Sequence, residues 1–169
     1  MSASFQVDGG EKLARAIRAL GSAEAMARVA RVAGEELAIM AAEAFHSERV
    51  RPAEWPPLSR RTEAGMSKAR KRGAKKRGSA RPLVDTGTLM RSFEVGAADG
   101  DGVTVKSTQD YAVYHQYGTK KMPARPFIPA TGGFDEVAQP TDLARRRLET
   151  AMTRALAEEA RRNGFATSD

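Results

Sequence analysis

The chain has 169 residues, of which 41% are apolar and only 6% aromatic, and a formal net charge of +7. This length predicts a single domain over residues 1–169 with a modest, alanine-rich core. The absence of cysteine excludes disulfides and thiolate chemistry. The first seven residues lack a basic or long apolar run, and the longest apolar stretch, near residues 37–42, is short, so we expect neither a signal peptide nor a membrane-spanning helix.

Two helices are predicted within residues 8–50. Asp8 and Glu11 have the spacing of a capping box, which would open a short helix that ends at Gly21. Ser22 would cap a longer helix over residues 23–48. The apolar face of that helix would be formed by Met26, Val29, Ala33, Leu37, Met40 and Ala44.

A proline-rich stretch and a basic segment follow. We expect Trp55, the only tryptophan, to anchor its loop on the body of the protein, with a partner contact as the alternative. Residues 60–81 contain ten Lys or Arg and one acidic residue, Glu63, and almost no large apolar side chain, which predicts a long flexible basic loop. Three interpretations of this loop are open: it has no partner, it contacts the phosphates of DNA, or it contacts an acidic protein surface. The residues concerned are Lys68, Arg70, Lys71, Arg72, Lys75, Lys76 and Arg77.

Residues 82–130 are predicted to form a hairpin and strap core. Asp85-Thr86-Gly87 would cap a helical turn that carries Leu89 and Met90. A strand that starts at Ser92 and a second over residues 103–107 would pair through a turn at Asp101-Gly102. The strap, residues 120–129, is proline-bound and would lie extended across or beside this sheet.

Two further helices flank the strap. Asp110 would cap a short helix over residues 111–117, ended by Gly118, in which Tyr111, Tyr114 and His115 share one face that we interpret as packing. Thr141 would cap a final helix over residues 141–163. Its apolar stripe would be Leu148, Met152 and Ala155.

The sequence contains no recognisable catalytic arrangement. His46 and His115, the only histidines, lack metal-ligand spacing, and we interpret both as capping or packing residues. No nucleotide-binding or hydrolase motif is present. We therefore predict no catalytic, cofactor-binding or metal-binding residues, and we expect the protein not to be an enzyme.

The motifs in their order resemble the phage virion morphogenesis family, the tail-completion family of Mu-like contractile-tailed phages. The similarity extends over residues 50–130 and involves Trp55-Pro56-Pro57-Leu58-Ser59, Asp85-Thr86-Gly87-Thr88-Leu89, Tyr111 with His115 and Gly118, and Arg125-Pro126-Phe127-Ile128. The resemblance implies an α+β protein whose N- and C-terminal helices pack on a small antiparallel sheet, with a long basic loop. It also implies a structural protein without cofactors.

The resemblance further implies a place in the virion, at the head–tail junction, after assembly in the host cytoplasm. The expected partners are further copies of the chain in a ring, most simply a hexamer, a tail tube or tail terminator protein, and a head connector or neck protein. Genomic DNA in the channel is a further candidate partner, and a membrane is not expected. A role in capsid maturation or in the baseplate is an alternative of the same class.

A ring needs complementary surfaces on each subunit, and the strap offers an edge and an aromatic side chain at Phe127. The competing interpretation is that Phe127 and Ile128 complete the core. The candidate interface and motif residues are Trp55, Pro57, Leu58, Asp85, Thr86, Gly87, Leu89, Ser92, Tyr111, His115, Gly118, Arg125, Pro126 and Phe127. Two rival functions are a non-specific DNA-binding protein that acts through residues 60–81 and a virion-associated hydrolase.

Overall fold

The structure is a computed structural model that describes residues 17–71, 82–132 and 138–165, and for residues 66–71 it describes the backbone only. These residues form an α+β fold, as predicted. In chain order the elements are helix α1 (Ala23–Glu43), a 3₁₀ turn (Glu48–Val50), helix α2 (Arg60–Lys71), strands β1 (Phe93–Ala98) and β2 (Val103–Ser107), helix α3 (Ala112–Tyr117), strands β3 (Ala130–Thr131) and β4 (Gln139–Pro140), and helix α4 (Asp142–Arg162).

Helix α1 begins as the sequence predicts and ends earlier. The Ser22 hydroxyl accepts a hydrogen bond of 3.1 Å from the Ala25 amide. The predicted extension to residue 48 is wrong, because the chain turns after Glu43 and sends the Phe45 ring, which is fully buried, into the core. Burial of a phenylalanine outweighs the few further helical hydrogen bonds that the longer helix would have made. Residues 17–20 are helical, whereas the remainder of the predicted first helix lies outside the described residues.

The β1–β2 hairpin packs against α1. The two strands are antiparallel, and the Asp99 carboxylate accepts hydrogen bonds from the amides of Asp101 and Gly102 in the turn, as the turn residues predicted. Gly34 of α1 faces the hairpin, where a Cβ would lie 2.9 Å from a methyl group of Val103. This glycine therefore permits the close approach of helix and sheet.

Helix α4 runs antiparallel to α1 and is joined to it by ion pairs. Thr141 caps the helix by accepting from the Ala144 amide, as predicted. Arg28 donates to both oxygens of the buried Glu159 at 2.7 and 2.8 Å, near one end of the pair. Near the other end, Arg147 donates to Glu36 and Glu43, each at 2.6 Å. Of the predicted apolar stripe Ala155 is buried, whereas Met152 is exposed.

The main core lies where α1 ends, under the loop of Trp55 and the strap. Phe45 is its centre, with ring centroids 5.7 Å from Trp55 and 5.5 Å from Phe127. Val50 and Leu89 close the cluster. Four of the aromatic residues, Phe45, Trp55, Phe93 and Phe127, therefore pack together at one place.

The prediction of a flexible loop over residues 60–81 is wrong for its first half, which forms α2. The Ser59 hydroxyl accepts from the Thr62 amide at 3.2 Å and so caps the helix. Residues 60–65 are all exposed, so the cap and the helix-forming Arg and Ala residues among them stabilise the start of α2 without burial of these side chains. The low hydrophobicity of residues 60–81 argues against packing on the body of the protein, but it does not exclude a helix. Residues 72–81, which include Arg72, Lys75, Lys76 and Arg77, lie outside the described residues.

Candidate assembly surface

Trp55 joins its loop to the strap. Its indole N–H donates to the carbonyl of Pro126 at 2.7 Å, and the side chain is buried against Phe45. The guanidinium of Arg51 lies 4.0 Å above the indole ring, a cation–π contact. Trp55 is thus the loop anchor that the sequence predicted.

Arg125 is buried and serves the fold, which corrects the expectation that it offers an interface. Its Nε and Nη2 atoms donate to the carbonyls of Pro56 and Pro57 at 3.0 and 2.9 Å. Its own amide donates to the carbonyl of His115 at 2.7 Å. The guanidinium fork matches two adjacent carbonyls, and only 7% of the residue is exposed.

Phe127 is also buried, so the expectation of a protruding aromatic is wrong and the competing core interpretation is confirmed. The ring is 1% exposed and lies between Phe45 and Phe93. The side-chain oxygen of Gln116 accepts from the amides of Phe127 and Ile128 at 3.0 and 3.1 Å. The sequence analysis did not identify Gln116. The only signal for it would have been the presence of a polar residue on the inward side of a short helix.

The Asp85-Thr86-Gly87 segment forms the tight turn that the sequence predicted. The Thr86 hydroxyl accepts from the Thr88 amide at 3.3 Å, and Gly87 has φ of 75°, which favours glycine. The Arg91 guanidinium closes the turn by donating to the Thr86 carbonyl. In the next residues the buried Ser92 hydroxyl donates to the carbonyl of Leu89 at 2.7 Å.

Helix α3 presents its tyrosines outward, which corrects the packing interpretation of Tyr111 and Tyr114. They are 41% and 56% exposed, and Tyr117 is 40% exposed. The helix begins at Ala112 without a side-chain cap from Asp110, and Ala112 and Gln116 are its buried residues. Gly118 ends the helix at φ of 76°, as predicted. The small Ala112 and the hydrogen-bonding Gln116 thus occupy the inward positions that the larger rings were expected to fill.

Four separated motifs converge on one open surface cavity of about 560 Å³. The predicted residues that line it are Pro57, Leu58, Asp85, Thr86, Gly87, Leu89, Tyr111, His115 and Arg125. Trp55, Ser92 and Phe127 belong to the core or its edge, and Gly118 and Pro126 fix the backbone. The motifs therefore build the walls of a hollow and the core beneath it.

His115 lies in the wall of this cavity with its Nδ1 atom buried, and that atom has no hydrogen-bond partner among the described residues. Burial, followed by the positive charge of Arg125, lowers the pKa of His115 below 6.5. The neutral form of the imidazole is therefore favoured, and the ring packs edge-on against Tyr111 with the centroids 5.8 Å apart. The other histidine, His46, is exposed, with Nε2 2.8 Å from the sulfur of Met90.

Within residues 17–71, 82–132 and 138–165, no group of three or more His, Asp or Glu side chains is arranged to hold a metal ion. None of the helices described there is long and apolar enough to cross a membrane.

Residues 9–149, which are most of the chain, match the phage virion morphogenesis family. No curated protein and no solved structure matches the sequence. The family agrees with the one that the ordered motifs resemble. The chain therefore belongs to the phage virion morphogenesis family and has a structural or assembly role in a phage particle.

Proposed function

We propose that this protein completes the phage tail and joins it to the capsid connector, as a homo-oligomeric ring at the head–tail junction. Family membership supports a role in virion assembly. A ring around the DNA channel is the simplest closed assembly in which many copies of one small chain connect two larger structures.

The observation that supports the proposal is that the polar residues of the motifs are hydrogen-bonded within the fold. Arg125 is bonded to two loop carbonyls, Gln116 to two strap amides, and Ser92 to a turn carbonyl. Groups engaged in this way position backbone segments and are not available to a substrate. The motifs therefore shape a surface, which is what an assembly protein requires.

The proposed partners follow from that position. One face of the ring, most simply of six copies, would meet the tail tube or tail terminator protein, and the other would meet the head connector or neck protein. Genomic DNA would pass through the channel. The chain would be assembled into the virion in the host cytoplasm.

Electron microscopy of particles made without this protein tests the proposal. We expect filled heads and separate tails, with tails of irregular length, and restoration when the wild-type chain is supplied from a plasmid. Tails of normal length that attach to heads in the absence of the chain would contradict the proposal.

A second candidate function is non-specific DNA binding through residues 60–81, and the geometry of α2 favours it. Arg60 and Arg61 are exposed on a helix that buries none of residues 60–65. Phosphate contacts would give a logarithmic salt dependence with a slope of roughly −0.9 per contact. Steep salt-dependent binding of duplex DNA by the purified chain would favour this function, and binding only by the assembled ring would favour the first.

A further inference from the structure

All three tyrosines of the chain are exposed at α3, and we call them the tyrosine ridge: Tyr111, which directly precedes the helix, Tyr114 and Tyr117. They are spaced three residues apart, so successive tyrosines occupy neighbouring positions on the helix surface. Tyrosine is enriched at protein interfaces because it buries a large area at little conformational cost. No described residue other than these presents so much aromatic surface to solvent.

Hollows on both sides make the ridge prominent. The 560 Å³ cavity adjoins Tyr111, and a second, more apolar groove of about 340 Å³ adjoins Tyr117. Val113 and Ile128 line that groove. A ridge between two hollows can interlock with a complementary protein surface.

The surroundings of the ridge are positively charged. Lys120 and Lys121 follow the helix and are exposed, and Lys106 is exposed at the edge of the apolar groove. The exposed acids in these surroundings are Asp110, Asp85, which lines the cavity together with Lys121, and Glu94, which lies opposite Lys106 in the hairpin. Arg91, which donates to the Thr86 carbonyl in the cavity wall, and the buried Arg125 add two positive charges, so five cations lie around the ridge against three acids, and an acidic partner is favoured.

The chain itself carries an acidic surface at the turn end of the β1–β2 hairpin. We call it the acidic tip (Glu24, Asp99 and Asp101). All three carboxylates are exposed, and the nearby cations are Arg18 and Arg28, of which Arg28 is paired with Glu159. Ile17, beside this end, is 57% exposed and adds an apolar patch. The Asp99 hydrogen bonds to the turn amides hold the tip in one shape.

The ridge and the tip are far apart in one molecule. Gly100 of the tip turn lies against Ala23 at the start of α1, whereas Leu37 lies in the groove beside α3. The fourteen residue steps from Ala23 to Leu37 correspond to about 20 Å of helix. Two complementary patches at opposite ends of a subunit are the requirement for head-to-tail association.

We infer that the tyrosine ridge of one copy docks on the acidic tip of the next copy, with lysine–carboxylate pairs around a core of tyrosine and isoleucine. This inference rests on the proposed ring, and it names the surfaces through which the ring closes. The contact weakens as the salt concentration rises, because its charged rim is exposed.

Disulfide cross-linking in assembled particles tests the inference, because the chain has no cysteine of its own. The variant carrying both Asp101→Cys and Tyr114→Cys cannot close a bridge within one chain, since a disulfide requires Cα atoms less than about 7 Å apart. After mild oxidation we expect a ladder of species larger than a dimer on a non-reducing gel. Each single-cysteine variant should remain monomeric.

Two results would overturn the inference. One is a double variant that is present in particles but not cross-linked. The other is a Tyr114→Cys single variant that forms dimers, which would place ridge against ridge. Both leave the head–tail role intact, whereas absence of the wild-type chain from particles would refute that role itself.

A charge exchange gives an independent test that does not depend on cysteines. Asp101→Lys and Lys121→Asp should each lower incorporation into particles about tenfold or more, because each places like charges together. The two changes combined in one chain should restore most of it. Failure of the combination to exceed either single variant, with all three chains folded, would contradict the proposed pairing.

Discussion

The strap and the tyrosine ridge are neighbours in the chain, and the structure reverses the roles that their sequences suggest. Arg125 and Phe127 of the strap have the composition of an interface, yet they are 7% and 1% exposed. Tyr111 and Tyr114 have the spacing of a packed face, yet they are exposed. The difference teaches that residue type does not decide exposure in this chain: hydrogen bonds and ring packing hold the strap side chains beneath the surface, whereas the tyrosines of α3 remain exposed.

Replacement of the strap aromatic should have the largest effect. Phe127→Ala removes a ring packed between Phe45 and Phe93, and it should lower the free energy of unfolding by about 3–5 kcal/mol. Chemical denaturation measures this loss. Tyr114→Ala is the matched control and should change the same quantity by less than about 0.5 kcal/mol. Equal losses for the two variants would remove the distinction between strap and ridge.

Replacement of Arg125 in the strap should have the next largest effect on stability. Arg125→Lys keeps the charge but cannot supply the fork that bonds the carbonyls of both Pro56 and Pro57, so we expect a loss of roughly 1–3 kcal/mol. Thermal unfolding at neutral pH would show it. An unchanged thermal midpoint would mean that the carbonyls of Pro56 and Pro57 accept hydrogen bonds from water or another donor without a loss of stability.

His115, where the ridge meets the cavity, should make stability depend on pH. Its pKa in the folded protein lies below 6.5, so the unfolded chain binds the proton more readily. Its contribution is therefore complete above about pH 6.5 and is lost as the pH falls below that value. His115→Gln should flatten the curve of unfolding free energy against pH between 5 and 7, and a curve parallel to that of the wild type would contradict this assignment.

The smallest effect is expected in α2, which lies outside both regions and whose residues 60–65 are all exposed. Gly65 has open space around its Cα, so Gly65→Ala should raise helicity and stabilise α2 locally by about 0.5–1 kcal/mol. Hydrogen exchange of the α2 amides should slow, while the exchange of the core should not change. A slowing throughout the protein would show that α2 packs on the body.

The sequence allowed most of the secondary structure to be predicted. The Ser22 and Thr141 caps, the turn before Gly102 and the helix end at Gly118 all depend on local chemistry that is visible in a few residues. The end of α1 could not be predicted, because burial of Phe45 is decided by residues far away in the chain.

The motif residues could be identified from the sequence, their role as an assembly interface stays a prediction, and the orientation of their side chains could not be predicted. The motifs do converge on one cavity, but whether a side chain lines it or lies beneath it depends on hydrogen bonds between distant segments, such as those from Gln116 to the strap. Periodicity in a helix of six residues, such as α3, is also too short to fix its phase. The family match over residues 9–149 agrees with what the ordered motifs indicated.

The most direct test of the account is the incorporation of a Tyr114→Asp chain into phage particles, compared with an Ile39→Asp chain. The two residues are 56% and 55% exposed, so both variants should fold with similar thermal midpoints. We predict that the Tyr114→Asp chain is largely excluded from purified particles, because the new carboxylate would face the acidic tip, and that the Ile39→Asp chain is incorporated normally. Equal incorporation of the two folded chains would contradict the claim that the tyrosine ridge is the assembly surface.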